Sequence, residues 1–129
     1  MNIGIIPDPE SHRDWEAIKA LLEPAAKRGG VPVLEEGEQV WSVTDGAEHL
    51  AAATARTTVE NFGEIILVGG VQRRRWLAGL DRLISSWLTD EGMQCVRAYG
   101  RMGWKRELEA MGWRVIGRDG KIMAYEKAL

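Results

Sequence analysis

The sequence has few of the residues that anchor common site chemistries. Its single cysteine, Cys95, has no partner for an internal disulfide and is read as a small buried hydrophobe. With one Cys and two distant histidines, His12 and His49, no cluster has zinc-ligand spacing, and no metal site is expected. No apolar run is long enough to cross a bilayer, so no membrane partner is expected. The start, MNIGIIPDPE, lacks the basic and long apolar stretches of a signal peptide, and synthesis in the cytoplasm is expected. GIIPDP lacks the glycines of a dinucleotide loop, and VGGVQRRRW lacks the Lys-Ser/Thr of a P-loop. Ser11, Ser42, Ser85 and Ser86 have no nucleophile elbow around them.

What is present fits one domain spanning all 129 residues, with no linker, repeat or low-complexity segment. The charge is unevenly spread. Residues 1–64 carry 5 Lys+Arg against 12 Asp+Glu, a net of −7, and residues 65–129 carry 12 against 7, a net of +5. Such asymmetry suits an anionic ligand on the second half, or contact between copies; mutual neutralisation within one fold is the simpler alternative. The basic excess is too small to point to nucleic acid. Six tryptophans fall mostly where a core residue is wanted, leaving one or two for a partner surface.

Periodicity gives the elements. NIGII is a strand ended by PDP. A helix follows, with Ser11 and Asp14 resembling a capping box and Trp15, Ile18, Leu21, Leu22 and Ala25 at helical spacing. Pro24 is expected to kink or divide it. Strands are expected around Val40–Val43, from Leu50 to Val59, and at EIILV. The next helix is the clearest, with Trp76, Leu80, Leu83, Ile84, Trp87 and Leu88 on one face. MQCVRAY is a strand, GWKRELEAMGW a short helix, and RVIGRDGKIMAYEK a hairpin around RDG. The expected class is α/β, in the order β-α-β-β-β-α-β-α-β-β, with one mixed sheet flanked by helices.

This order resembles the GNAT fold, that of the Gcn5-related N-acetyltransferases. The likeness is most specific from Ile65 to Trp113. There the strand IILV runs into VGGVQRRRWLAGL, in the place of the family's Q/R-x-x-G-x-G/A loop, whose amides hold the acyl-CoA pyrophosphate. Gly112-Trp113 stands for the pair that ends the following helix. The resemblance makes Val68, Gly69, Gly70, Gln72, Arg73, Arg74 and Arg75 the expected binding residues, if acyl-CoA or another anion binds.

The pattern also departs from the family. Arg75 and Leu77 stand where small residues admit the diphosphate, and are expected to crowd it. Leu108 falls where a tyrosine usually protonates the leaving thiolate. Glu60 and Glu64 are possible general bases by position but are placed in a solvated turn, and both histidines lie at exposed element starts, so no catalytic residue is named. Three arginines at a helix start oppose the helix dipole, which points to an anionic partner as much as to a solvated face. The tyrosine-free GR-x-GW-x-R-x-L-x-x-x-GW arrangement, within YGRMGWKRELEAMGW, resembles small GNAT-like proteins of tailed bacteriophages. The resulting expectation is a GNAT-fold protein that has lost acetyl transfer, uses no cofactor, and acts through a protein partner or self-association in a phage or prophage virion. The alternative is a divergent acyl-CoA-dependent N-acetyltransferase, with acetyl-CoA as its cofactor.

Overall fold

The computed structural model describes every residue, Met1–Leu129. Seven strands form one sheet: β1 (Asn2–Ile6), β2 (Gln39–Asp45), β3 (Glu48–Thr57), β4 (Phe62–Gly70), β5 (Cys95–Arg101), β6 (Arg114–Asp119) and β7 (Ile122–Ala128). Three helices accompany them: α1 (Trp15–Gly29), α2 (Leu77–Asp90) and α3 (Lys105–Ala110). The sheet order is β1-β2-β3-β4-β5-β7-β6. Every neighbouring pair is antiparallel except β4 and β5, which are parallel and joined through α2. The expected element order and class hold.

The two faces of the sheet are packed differently. On the α2 side, Trp76, Leu80, Ile84 and Leu88 close onto Trp41, Ile65, Val96, Trp113 and Tyr125. On the α1 side, Ile18, Leu22 and Ala26 pack on Ile6, Val40, Ala52 and Leu67. The alanine run of β3 lets both helices approach: Ala51, Ala53 and Ala55 belong to the first cluster and Ala52 to the second. No tryptophan is left exposed; Trp15, Trp87 and Trp104 are half-buried.

Several sequence expectations need correction. Pro24 does not divide α1, which runs unbroken from Trp15 to Gly29 with the proline on its exposed side. Asp14 is the residue before α1 but makes no side-chain cap; its carboxylate is taken by His49 at 3.0 Å, so the capping box does not form. β3 runs two residues earlier at each end than expected, and Val59 lies in an exposed turn. Leu83 is exposed, while Trp76, Leu80, Ile84 and Leu88 carry the buried face of α2.

Candidate functional site

The central feature is a split in the sheet. β4 and β5 pair only from Phe62↔Cys95 to Ile65↔Ala98. Beyond that point Ile66–Gly70 and Tyr99–Arg101 have no strand partner between them. A bulge marks the split. Thr54 pairs with Leu67 but Ala55 with Ile65, leaving Ile66 as the extra residue. The bulge turns the strand over: Ile65 joins the α2-side core, and Leu67, two residues on, joins the α1-side core. The Leu67 N–H donates to Thr54 Oγ1 at 3.2 Å, which fixes the turn-over.

The split opens a cavity of about 1200 Å³ that passes between the strands. Ala25, Gly29 and Val31 line it from the α1 side, and Leu77, Leu80 and Ile84 from the α2 side. Leu108, Trp104, Tyr99 and Tyr125 complete the wall. The Tyr125 hydroxyl donates to the Arg101 carbonyl at 2.9 Å, which ties β7 to the end of β5.

Each expected binding residue can now be placed. Gly69 and Gly70 are not a phosphate turn but the end of β4, paired with Ala52 and Ala51. Their lack of a side chain serves packing. A Cβ on Gly69 would lie 1.9 Å from the Leu21 carbonyl oxygen of α1, and one on Gly70 2.3 Å from the Leu50 carbonyl oxygen. Val68 lines the cavity. Gln72 adopts a left-handed conformation and leads into a 3-10 turn at Arg73–Arg75. Buried Trp76 locks this connection, its indole N–H donating to the Val71 carbonyl at 2.7 Å.

The three arginines part company. Arg75 turns away from the cavity, to Asp45 at 2.9 Å and Gln72 at 2.7 Å, so it does not crowd the opening. Asp45 is held below the usual carboxylate range by that guanidinium. Arg73 lines the cavity, pairs with Glu107, and lies 4.5 Å from the centre of the Trp104 ring. Arg74 is exposed and has no acidic partner. Leu77, unlike Arg75, does line the cavity. The connection leads into α2, whose first N–H groups receive no side-chain cap and have no partner within their own helix. Such a run of donors at a helix start suits an anion.

The two glutamates expected in a solvated turn differ in environment. Glu60 is in an exposed turn, but Glu64 is the third residue of β4, with its side chain 12% exposed. It alternates with core residue Ile65 and so faces the α1 side, just before the bulge. Arg56 of β3 holds its Oε1 with two hydrogen bonds, at 2.8 and 3.0 Å. Tyr99, two residues beyond the point where Glu64 and Arg97 pair, lines the cavity. Burial, and then the charge of Glu64, push the Tyr99 phenol above its usual range. Glu38 stands in the same group and is pushed up by burial. The signal available in sequence was Phe62-Gly63, which continues the strand pattern backwards through Glu64.

The histidines lie elsewhere. His49 is not exposed: its side chain is 14% exposed and its Nε2 meets Asp14 at 3.0 Å. With His12, Ser42 and Thr44 it lines a smaller polar cavity of about 480 Å³, on the β1–β3 side.

No protein-family model and no curated sequence matches the chain. Solved structures do. Tetrahymena Gcn5 is similar over 99% of this chain and 96% of its own, with a TM-score of 0.76 at 10% identity. The chain and the PaiA N-acetyltransferase of Thermoplasma acidophilum, solved with coenzyme A, match over 100% of each, with a TM-score of 0.72 at 14% identity. The ribosomal-protein-S18-alanine N-acetyltransferase of Escherichia coli is similar over 98% of this chain and 92% of its own, at 0.70 and 11%. The fold is the GNAT fold. The split lies between the fourth and fifth strands of that fold, and the Gln72–Trp76 connection follows the fourth. Leu108, in the tyrosine position, is half-buried against the α2-side core and lines the cavity.

Proposed function

We propose that the chain is an acyl-CoA-dependent N-acyltransferase in which Glu64 serves as general base. The observation that carries this reading is the placement of Glu64: inside β4, beside the split, shielded from water and adjacent to Tyr99. The cavity has the size an acyl-CoA needs, with the uncapped start of α2 for the diphosphate and the unpaired edge of β4 for the acyl arm. Bound acyl-CoA supplies an activated thioester. The amine nitrogen attacks the thioester carbonyl, a C–N bond forms, the C–S bond breaks, and the amine proton passes to Glu64. Arg56 fixes Glu64 through Oε1, leaving Oε2 to take the proton. Tyr99, its phenol kept protonated, donates to the leaving thiolate in the role Leu108 lacks.

The test is thiol release from acetyl-CoA against a panel of primary amines. Turnover is expected, and Glu64→Gln should lower kcat by about 10²-fold or more, the usual scale for a general base. Absence of transfer to every amine would sink the reading.

The second reading is a GNAT-fold protein without transfer that works through protein contacts, as in a phage or prophage particle. It is favoured by Leu108 in the acid position and by the Arg73–Glu107 pair at the cavity. It predicts no turnover and recovery of the chain in a larger assembly.

A further inference from the structure

We infer that Arg73 and Glu107 form a clasp at the phosphate end of the cavity, which an incoming diphosphate opens by taking Arg73 from Glu107. The inference deepens the transferase reading, on which it rests for the identity of the ligand.

Arg73 sits in the 3-10 turn after β4, and Glu107 in the first turn of α3. Their ion pair therefore joins the two connections that border the split, one leaving β4 and the other leaving β5. Trp104 lies beneath the guanidinium at 4.5 Å from its ring centre, and both Arg73 and Trp104 line the cavity. Glu107 thus holds, with a carboxylate, the one arginine of the triplet that borders the cavity.

The pair is built to be exchanged. The side chains of Arg73 and Glu107 are 43% and 28% exposed, and a partly solvated pair of this kind is weak. A guanidinium prefers the two-pronged geometry of phosphate oxygens, and a diphosphate brings more charge than one carboxylate. Stacking on Trp104 keeps the guanidinium aimed while it changes partner. Glu107, once released, remains at the surface in the first turn of α3, where a carboxylate suits the helix dipole. This accounts for arginines at a helix start. Arg75 is spent on Asp45, and Arg73 is kept on a competing carboxylate until a stronger anion arrives.

A ligand that must displace Glu107 binds more weakly by the fraction of molecules in which the clasp is shut. Calorimetric titration of CoA and of inorganic pyrophosphate into four proteins tests this: wild type, Glu107→Gln, Arg73→Gln and the double variant. Glu107→Gln should bind both ligands about two- to fivefold more tightly, the scale of one weak ion pair removed from competition. Arg73→Gln should bind both more weakly, and adding Glu107→Gln to it should restore nothing. Unchanged or weaker binding by Glu107→Gln overturns the clasp, as does an equal gain in the Arg73→Gln background. Failure of both ligands to bind wild type and Glu107→Gln at millimolar concentration also overturns it. If the expected pattern appears but no amine is acylated, the clasp stands and the transferase reading alone falls.

Discussion

The two faces of the sheet are built from different materials. On the α2 side the packing is aromatic and continuous: Trp41, Trp76, Trp113 and Tyr125 span from β2 to β7, with Trp87 edge-on to Trp41 at 5.1 Å. It therefore bridges the split from one side, holding the two halves of the sheet together where their backbones part. On the α1 side the core is aliphatic and stops at Leu67. Where it stops, charged and phenolic groups begin: Glu38, Arg56, Glu64, Arg97 and Tyr99. One face supplies cohesion, and the other gives up cohesion to supply chemistry. A sheet opened down its middle needs such a division, because an apolar seal on both faces would fill the opening.

The largest expected effect tests the bridging face. Trp76→Ala removes a residue 2% exposed, and with it the hydrogen bond that locks Val71 before α2. It should cost about 3–5 kcal/mol in urea unfolding. Leu22→Ala, its counterpart on the α1 side, should fall at the low end of the range for such truncations, about 2–3 kcal/mol. Equal costs, or the reverse order, would break the contrast between the faces.

The next effect concerns how closely α1 must approach. Gly69→Ala would put a Cβ 1.9 Å from the Leu21 carbonyl oxygen, and that atom is helix backbone, which cannot swing aside. The expected cost is about 2–3 kcal/mol, at the upper end for overpacking. A stability within about 0.5 kcal/mol of wild type, the usual range for a tolerated surface change, would show that α1 moves freely over β4.

These two sites also show what the sequence could and could not say. Element order was legible because each helix has apolar spacing and each connection a glycine, proline or asparagine in it or beside it. VGGVQRRRW was legible as the connection between a strand and a helix, but the packing task of its glycines was not. Gly69 and Gly70 answer to Leu21 and Leu50, residues distant in the chain, and no local pattern carries that. The reversal at Ile66 was hidden for the same reason, since a bulge exists only in relation to the partner strand. Glu64, at the start of EIILV, reads in sequence as part of a solvated turn, whereas the register with Arg56 and Arg97 puts it inside β4. Fates of the three arginines were equally closed to sequence, because Asp45 and Glu107 meet them only in the fold.

The smallest expected effect sharpens the contrast within the α1-side polar group, where two glutamates should respond to pH in opposite directions. Glu126 is held below the ordinary 4.5 by Arg114 and then by Arg97, so its folded state favours the charged form. Its contribution is present above pH 4.5 and is lost as pH falls through its lowered folded value. Glu38 is raised above 4.5, chiefly by burial, so its folded state favours the protonated form. Its contribution is full below pH 4.5 and is lost as pH rises through its raised folded value. Glu126→Gln should therefore reduce stability at neutral pH and flatten the acid limb of the stability profile. Glu38→Gln should raise stability at neutral pH and leave the acid limb intact, each by about 1 kcal/mol or less given the exposure of the partners. Urea midpoints measured from pH 3 to pH 8 on both variants decide the matter. If Glu38→Gln instead destabilises at neutral pH, Glu38 is a working member of the charged network around Arg56, and the boundary between cohesion and chemistry lies deeper in the α1 face than the burial of Glu38 suggests.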